Sequence, residues 1–159
     1  MPNKNTHKGE KLYVCATAQD DDLNQAAYEA LAWQLVGKVG NRGDWGSTSN
    51  MPTYNTLDEA VEQSQKGVAN AGKPQIEVAR VANDAGQIIL RTFGDPLNQH
   101  NMAVKLEYND KPSGGSTNTI KYSRGVVSGP QDPGGGSDDF VREQYTIGLN
   151  QLPITVNAT

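Results

Sequence analysis

With 159 residues, of which 35 % are hydrophobic and 20 % charged, the chain is sized for one domain with a single packed core and is too short for two. Its formal net charge of -4 sets it against gripping nucleic-acid phosphates, because that affinity comes from Lys and Arg displacing counterions; a surface to which DNA must not stick is still within its reach. No apolar run is long enough to span a bilayer, Met1–Glu10 lacks the apolar core of a signal peptide, and the lone cysteine, Cys15, excludes an intrachain disulfide, so a soluble protein made in a cytoplasm is expected.

The 17 Gly and 8 Pro favour a loop-rich, mainly β domain over a helical bundle. Residues 1–10 read as a polar arm and Lys11–Cys15 as a short strand. Asp20, Asp21 and Asp22 precede Leu23, Ala26, Ala27, Ala30 and Leu31, whose spacing predicts an amphipathic helix with its acids at the positive end of the dipole. A calcium loop is a poor reading of that triplet, since the Gly and the distant Glu of an EF-hand are missing. From Leu31 the period becomes two, through Trp33, Leu35 and Val39, which predicts a strand. Residues 41–54 then form a long Gly/Ser/Asn loop, and loops of that length are usually functional or mobile. The loop contains Arg42-Gly43-Asp44, a tripeptide too short to signify integrin recognition. It also holds Trp45, which either anchors a partner surface or folds back on its own domain.

Asn55–Gly67 matches helix and strand spacings alike and is read as a polar strand; Gln75–Val81 is a clearer one, with Ile76, Val78 and Val81 apolar. Asp84 with Gln87 three residues on predicts a helix start, Ala85, Ile88, Ile89 and Phe93 its buried stripe, and Gly94 and Pro96 its end. Asn101–Asn109 alternates cleanly: Met102, Val104, Leu106 and Tyr108 on one face, Asn101, Lys105, Glu107 and Asn109 on the other with Ala103. After a Gly/Ser-rich turn (Lys111–Thr117), Asn118–Val127 alternates again, Ile120, Tyr122 and Val126 against Thr119, Lys121 and Ser123. The two together predict a hairpin with one wet side, the kind that builds binding modules and the walls of water-filled tubes. Residues 129–139 are a second long loop, acidic and Gly-rich. Phe140–Leu149 returns as a strand with Val141, Tyr145, Ile147 and Leu149 on one side, and Ile154–Val156 closes the chain.

The sequence gives an enzyme little to work with. It has no G-x-S-x-G elbow, no P-loop and no H-x-x-x-H spacing for zinc, and Gly134–Gly136 lies in a loop without strand-to-helix context. His7 and His100 are far apart, and Cys15 inside an apolar strand reads as a buried small hydrophobe. Asn157-Ala158-Thr159 matches a glycosylation sequon, which means nothing without a secretion signal. No catalytic residue, cofactor or metal is therefore expected. Polar-faced strands and unpaired edges favour pairing with copies of the same chain, and ring closure removes such edges.

The order of these elements resembles the tail tube proteins (major tail proteins) of long, flexible-tailed bacteriophages, over nearly the whole chain from about Lys11. The matching pieces are Tyr28-Glu-Ala-Leu-Ala-Trp33, Tyr54-Asn-Thr-Leu57 with Lys66-Gly67, Asp84-Ala-Gly-Gln87, Arg124-Gly-Val-Val127 and Pro153-Ile-Thr-Val156. The resemblance implies a twisted β-sandwich or partial barrel with one or two short flanking helices. Six copies would form a ring that completes an inner β-barrel, and rings would stack into a tube that conducts the genome into the host. It implies assembly in the host cytoplasm, residence in the virion tail, and tape measure, terminator and tail tip proteins as partners, with DNA only in transit and no membrane. On that picture Glu62, Lys105, Glu107, Lys121 and Glu143 are the candidates to face the lumen, the two lysines interrupting an otherwise acidic lining. Arg42, Asp44, Trp45 and Tyr54 are the candidates for contacts between subunits. Two alternatives stay open: a tail terminator or connector that stops at a single ring, and a carbohydrate- or protein-directed β-sandwich module that binds through Trp45.

Overall fold

A computed structural model of the chain describes residues 5–159. In chain order the elements are β1 (Lys11–Ala18), α1 (Gln25–Glu29), β2 (Trp33–Leu35), β3 (Val39–Asn41), β4 (Thr48–Ser49), β5 (Thr53–Tyr54), β6 (Gln63–Ser64) and β7 (Ala69–Asn70). They continue with β8 (Gln75–Ala79), α2 (Ala85–Gly94), β9 (Met102–Glu107), β10 (Ile120–Gln131), β11 (Arg142–Leu149) and β12 (Ile154–Val156). Eight strands form one antiparallel sheet in the order β2-β1-β9-β10-β11-β8-β3, with β12 beside the first half of β10. The architecture is the expected mainly β one with two short helices, and no barrel closes within the subunit.

The two end strands of this sheet, β2 and β3, are consecutive in sequence. The chain pairs with β1 through Trp33–Leu35, bends at Val36–Lys38, where Lys38 has a φ of 59°, and then pairs with β8. The expected single strand from Leu31 to Val39 is therefore two short ones, and the bend carries the chain between the two ends of the folded sheet. Arg42 Nε bridges the remaining gap to Glu10 on the approach to β1, at 2.6 Å.

Inside the fold lies the main core. Leu12 and Val14 of β1 face Leu106 and Val104 of β9 across the ladder, and Ile76, Val78, Tyr145 and Ile147 close it from β8 and β11. Helix α2 covers this core with Leu90 and Phe93. Asp84 caps it as expected, accepting from Gln87 N at 3.0 Å and also from Gly37 N at 3.1 Å, which ties the helix start to the β2–β3 bend. The buried stripe is rotated from the expected one: Gly86, Gln87, Leu90 and Phe93 are inside, whereas Ala85 and Ile88 are exposed. Gly86 is the reason. A Cβ there would collide with Leu35 O and come within 2.6 Å of Val36 Cα, so only glycine lets the helix backbone lie against the bend. Gln87 is then buried beside it, its amide donating to Gly37 O and Ala79 O and its carbonyl accepting from Val81 N.

A second core occupies the opposite face of β1, β9 and β10. Cys15, Tyr28, Ala103 and Tyr122 are buried there, with Leu31, Trp33 and Ile154 against them. Tyr28 stacks on Tyr122 with ring centroids 5.5 Å apart, Trp33 Nε1 donates to Tyr28 O, and the Tyr28 hydroxyl donates to Gln151 Oε1. Burial pushes the Tyr28 hydroxyl up to about 12. The helix bringing Tyr28 in is shorter than expected. Asn24 caps it, accepting from Ala27 N at 2.8 Å; the aspartates upstream are engaged elsewhere, Asp20 with Asn101 N and His100, Asp22 with Arg124. The hairpin of β9 and β10 therefore packs against apolar groups on both faces over most of its length, with a side partly open to solvent near Lys105 and Glu107 and again at Val126 and Ser128.

Candidate assembly surfaces

The expected 41–54 loop and the polar strand after it fold into one projecting hairpin. Thr48–Ser49 pairs with Ala69–Asn70 and Thr53–Tyr54 with Gln63–Ser64, and backbone bonds from Asn50, Gly67 and Gln65 join the two short ladders. The paired stem is roughly 20 Å long at ~3.4 Å per residue. From Asn50 to Asn70 every residue except Thr56 is exposed. Met51, Tyr54, Leu57, Val61 and Val68 stand in solvent, Leu57 wholly so. Asp58, Glu59 and Glu62 are interleaved with them around the tip. Apolar side chains displayed along a protruding arm with no covering element mark a surface built for contact with another chain.

Of the residues expected between subunits, Tyr54 lies on this arm and is 73 % exposed. Trp45 does not. It packs against the main core of its own subunit and its indole N–H donates to Arg42 O at 2.8 Å. Arg42 is likewise turned inward, paired with Glu10 and stacked over the Tyr108 ring at 5.3 Å. Asp44 is exposed and lines, with His7, Glu10, Lys11, Val39 and Arg42, a cleft of about 380 Å³ at the seam of the folded sheet. The aromatic anchor belongs to the root of the arm, and the free apolar groups lie further along it. Of the expected N-terminal arm, residues 1–4 fall outside the described residues; beyond them His7 bonds Glu10 and the Lys8 carbonyl accepts from Asn109.

The five residues expected to face a lumen do not share one surface. Glu62 is exposed on the hairpin arm. Lys121 sits across from Leu106, on the main-core side, with Nζ 5.8 Å from the Tyr108 ring centroid, whereas Lys105 sits between Tyr13 and Tyr122 on the other side. Glu107 shares the face of Lys105. Glu143 is a correction: it is buried inside its own subunit, 1 % exposed, and faces no channel. Arg91 grips both of its oxygens, with Nη2 at 2.9 Å and Nε at 3.1 Å from Oε1, the Tyr145 hydroxyl donates to it at 3.0 Å, and Arg80 approaches to 3.5 Å. Burial alone would push this carboxyl up. The hydrogen bonds from Arg91 and Tyr145 and the charges of Arg91 and Arg80 outweigh that, and hold it below the usual carboxylate range. Sequence alternation contained the signal, since Glu143 lies two residues before Tyr145 on the inward face of β11.

Elsewhere, His100 pairs with Asp20 at 2.7 Å, and Cys15 is buried. Among the described residues no helix is long and apolar enough to cross a membrane, and no group of three or more His, Cys, Asp or Glu is placed to hold a metal.

No protein-family model matches the chain, and no curated protein matches it in sequence. Its fold does match a solved structure: a chain in the cryo-EM structure of the anti-feeding prophage (AFP) baseplate, 6-fold symmetrised, superposes with a TM-score of 0.73 over 99 % of this chain and 98 % of that one, at 7 % sequence identity. The two chains share a fold from end to end.

Proposed function

We propose that this chain is a structural subunit of a phage tail or phage-tail-like particle, with no catalytic activity and no cofactor, and that it acts as a tail tube protein. In this reading copies close into hexameric rings, the rings stack into a hollow tube, and the genome passes through it into the host. Assembly takes place in the host cytoplasm, and tape measure, terminator and tail tip proteins are the partners.

The observation that carries the reading is the end-to-end fold match to a chain of a six-fold symmetrised baseplate, with almost nothing left over in either chain. The projecting hairpin supports it, because an arm with exposed apolar groups suits a heterologous contact, which closes into a ring when its rotation divides the circle. The net charge of -4 suits a conduit along which DNA slides without binding. One observation favours a second reading, a component that stops at a single ring: the matched chain belongs to a baseplate.

Sedimentation velocity over a wide concentration range, with negative-stain imaging of the same samples, tests both. Six-membered rings that stack into tubes support the tube protein, and rings that never stack support the single-ring component. A monomer at every concentration sinks both readings.

A further inference from the structure

The hairpin arm needs an acceptor, and one face of the sheet has the matching chemistry. β2 is an end strand, paired only with β1, and helix α2 lies against its Leu35 carbonyl, so what it leaves open is a face rather than an edge. On the outward face of this corner Leu35 lies beside Tyr13, Tyr13 beside Lys105, and Lys11 beside Glu107. Lys105 is the unusual member. Its Nζ lies 4.2 Å from the Tyr13 ring centroid and 5.4 Å from that of Trp33. Burial pushes its pKa down, with Glu107 partly offsetting the shift. Among the described residues no carboxylate comes within ion-pair distance of it. An ammonium held over two rings and half withdrawn from water gains from an incoming carboxylate more than a fully solvated lysine does.

We propose that the hairpin tip of one copy, Leu57 to Glu62, docks on the Tyr13–Trp33–Leu35–Lys105 face of the next copy. The inference rests on the ring-forming reading above and names the contact that makes the ring. Leu57 and Val61 cover Tyr13, Trp33 and Leu35, which is itself 42 % exposed, while Asp58, Glu59 and Glu62 bring the carboxylates that Lys105 and Lys11 lack. The contact is head-to-tail, because the arm and its acceptor are different surfaces of the same chain, so each copy offers one of each. The hairpin does not fold onto this face within its own chain, and both surfaces remain open for a neighbour.

Charge reversal tests the pairing. Lys105→Glu, and separately Glu59→Lys with Glu62→Lys, should each raise the concentration needed for half assembly by about tenfold or more, and the three substitutions together should restore most of that loss. The hairpin substitutions lie at exposed positions outside both cores and should leave the fold intact, so they keep the test valid if Lys105→Glu misfolds. Independently, Leu57→Cys combined with Leu35→Cys should give disulfide-linked ladders of whole subunits under oxidising conditions, with native Cys15 buried and silent. Reversals that leave assembly at the wild-type level, a combined variant no better than its parents, or assembled subunits without cross-links overturn the docking and leave the tail reading standing. A wild-type chain that never assembles overturns both.

Discussion

Removing Arg91 should expose how much of the subunit's stability hangs on one buried carboxylate. Arg91→Met keeps most of the aliphatic volume and deletes the guanidinium that contacts both oxygens of Glu143 and also donates to Val81 O and Gln87 Oε1. What remains around Glu143 is the Tyr145 hydroxyl and Arg80, which is half exposed and 3.5 Å away. Breaking a buried pair by removing one partner leaves an uncompensated charge and costs about 3–5 kcal/mol, equivalent to a fall of roughly 10 °C in melting temperature for a domain of this size. The double variant Arg91→Met with Glu143→Met removes both charges and should recover more than half of the loss. The pH dependence supplies a second readout. In the native chain Glu143 is depressed, so its contribution is complete above the unfolded carboxylate pKa and disappears as pH falls through the lower folded value. In Arg91→Met burial dominates, the folded carboxyl rises above its unfolded value, and stability should instead fall as pH climbs past about 4.3. Thermal melts of the dilute, unassembled protein between pH 3 and 7 measure both effects. A cost below about 1 kcal/mol, with an unchanged acid limb, would refute the view that Arg91 compensates the buried charge.

Trp45→Ala should lower the melting temperature of the isolated subunit, at a cost of about 2 kcal/mol for a partly buried indole that also loses its bond to Arg42 O; a variant that melts normally yet fails to assemble would return Trp45 to the interface. Replacing Asn50–Val68 with a short Gly/Ser turn should leave that melting temperature within about 2 °C of wild type, because none of these residues enters either core, and should abolish assembly. Sedimentation of the shortened chain decides it, and rings of normal size would show that the arm is dispensable.

Where one face of an element was apolar, the sequence showed the structure. The alternation of β9, the Asp84 cap and the two-residue period of β11 all appear where pattern alone put them. Two of the differences, on α2 and β11, share a cause, a residue polar by type and inside by position. The stripe of Ala85, Ile88, Ile89 and Phe93 leaves out Gly86 and gives Gln87 only a capping role, although glycine is what lets the helix approach the β2–β3 bend and the glutamine amide is consumed by backbone groups there. Glu143 reads as solvent-facing by its charge, although its parity on β11 points inward. By sequence the hairpin arm reads as a loop followed by a separate polar strand because neither ladder has an apolar face, and a strand pair that buries nothing leaves no hydrophobic period to detect. Its exposed Met51, Leu57, Val61 and Val68 were the available signal. The second core was hidden for the opposite reason: Tyr28 and Trp33, five residues apart, meet Tyr122 of a distant strand only through the cross-strand register.

That register also decides what Glu107 can do. Lys105 and Glu107 share a face, Lys121 lies on the other, and Glu143 is internal, so no one surface of the sheet presents all the charges first assigned to a channel. If the acidic tip of a neighbouring arm docks beside Lys105, Glu107 is a like charge at the edge of that contact, and Glu107→Lys changes the acceptor face by two charge units toward the sign the arm prefers. Assembly should then begin at lower concentration than in wild type, and the gain should shrink with added salt, since at 0.1 M the interaction is screened over about 10 Å. A Glu107 that faces a lumen predicts something different: unchanged assembly, with slowed passage of DNA through a lining made more basic. Sedimentation at low and high salt separates the two. Weakened assembly contradicts both, because it requires a basic group on the neighbour opposite Glu107.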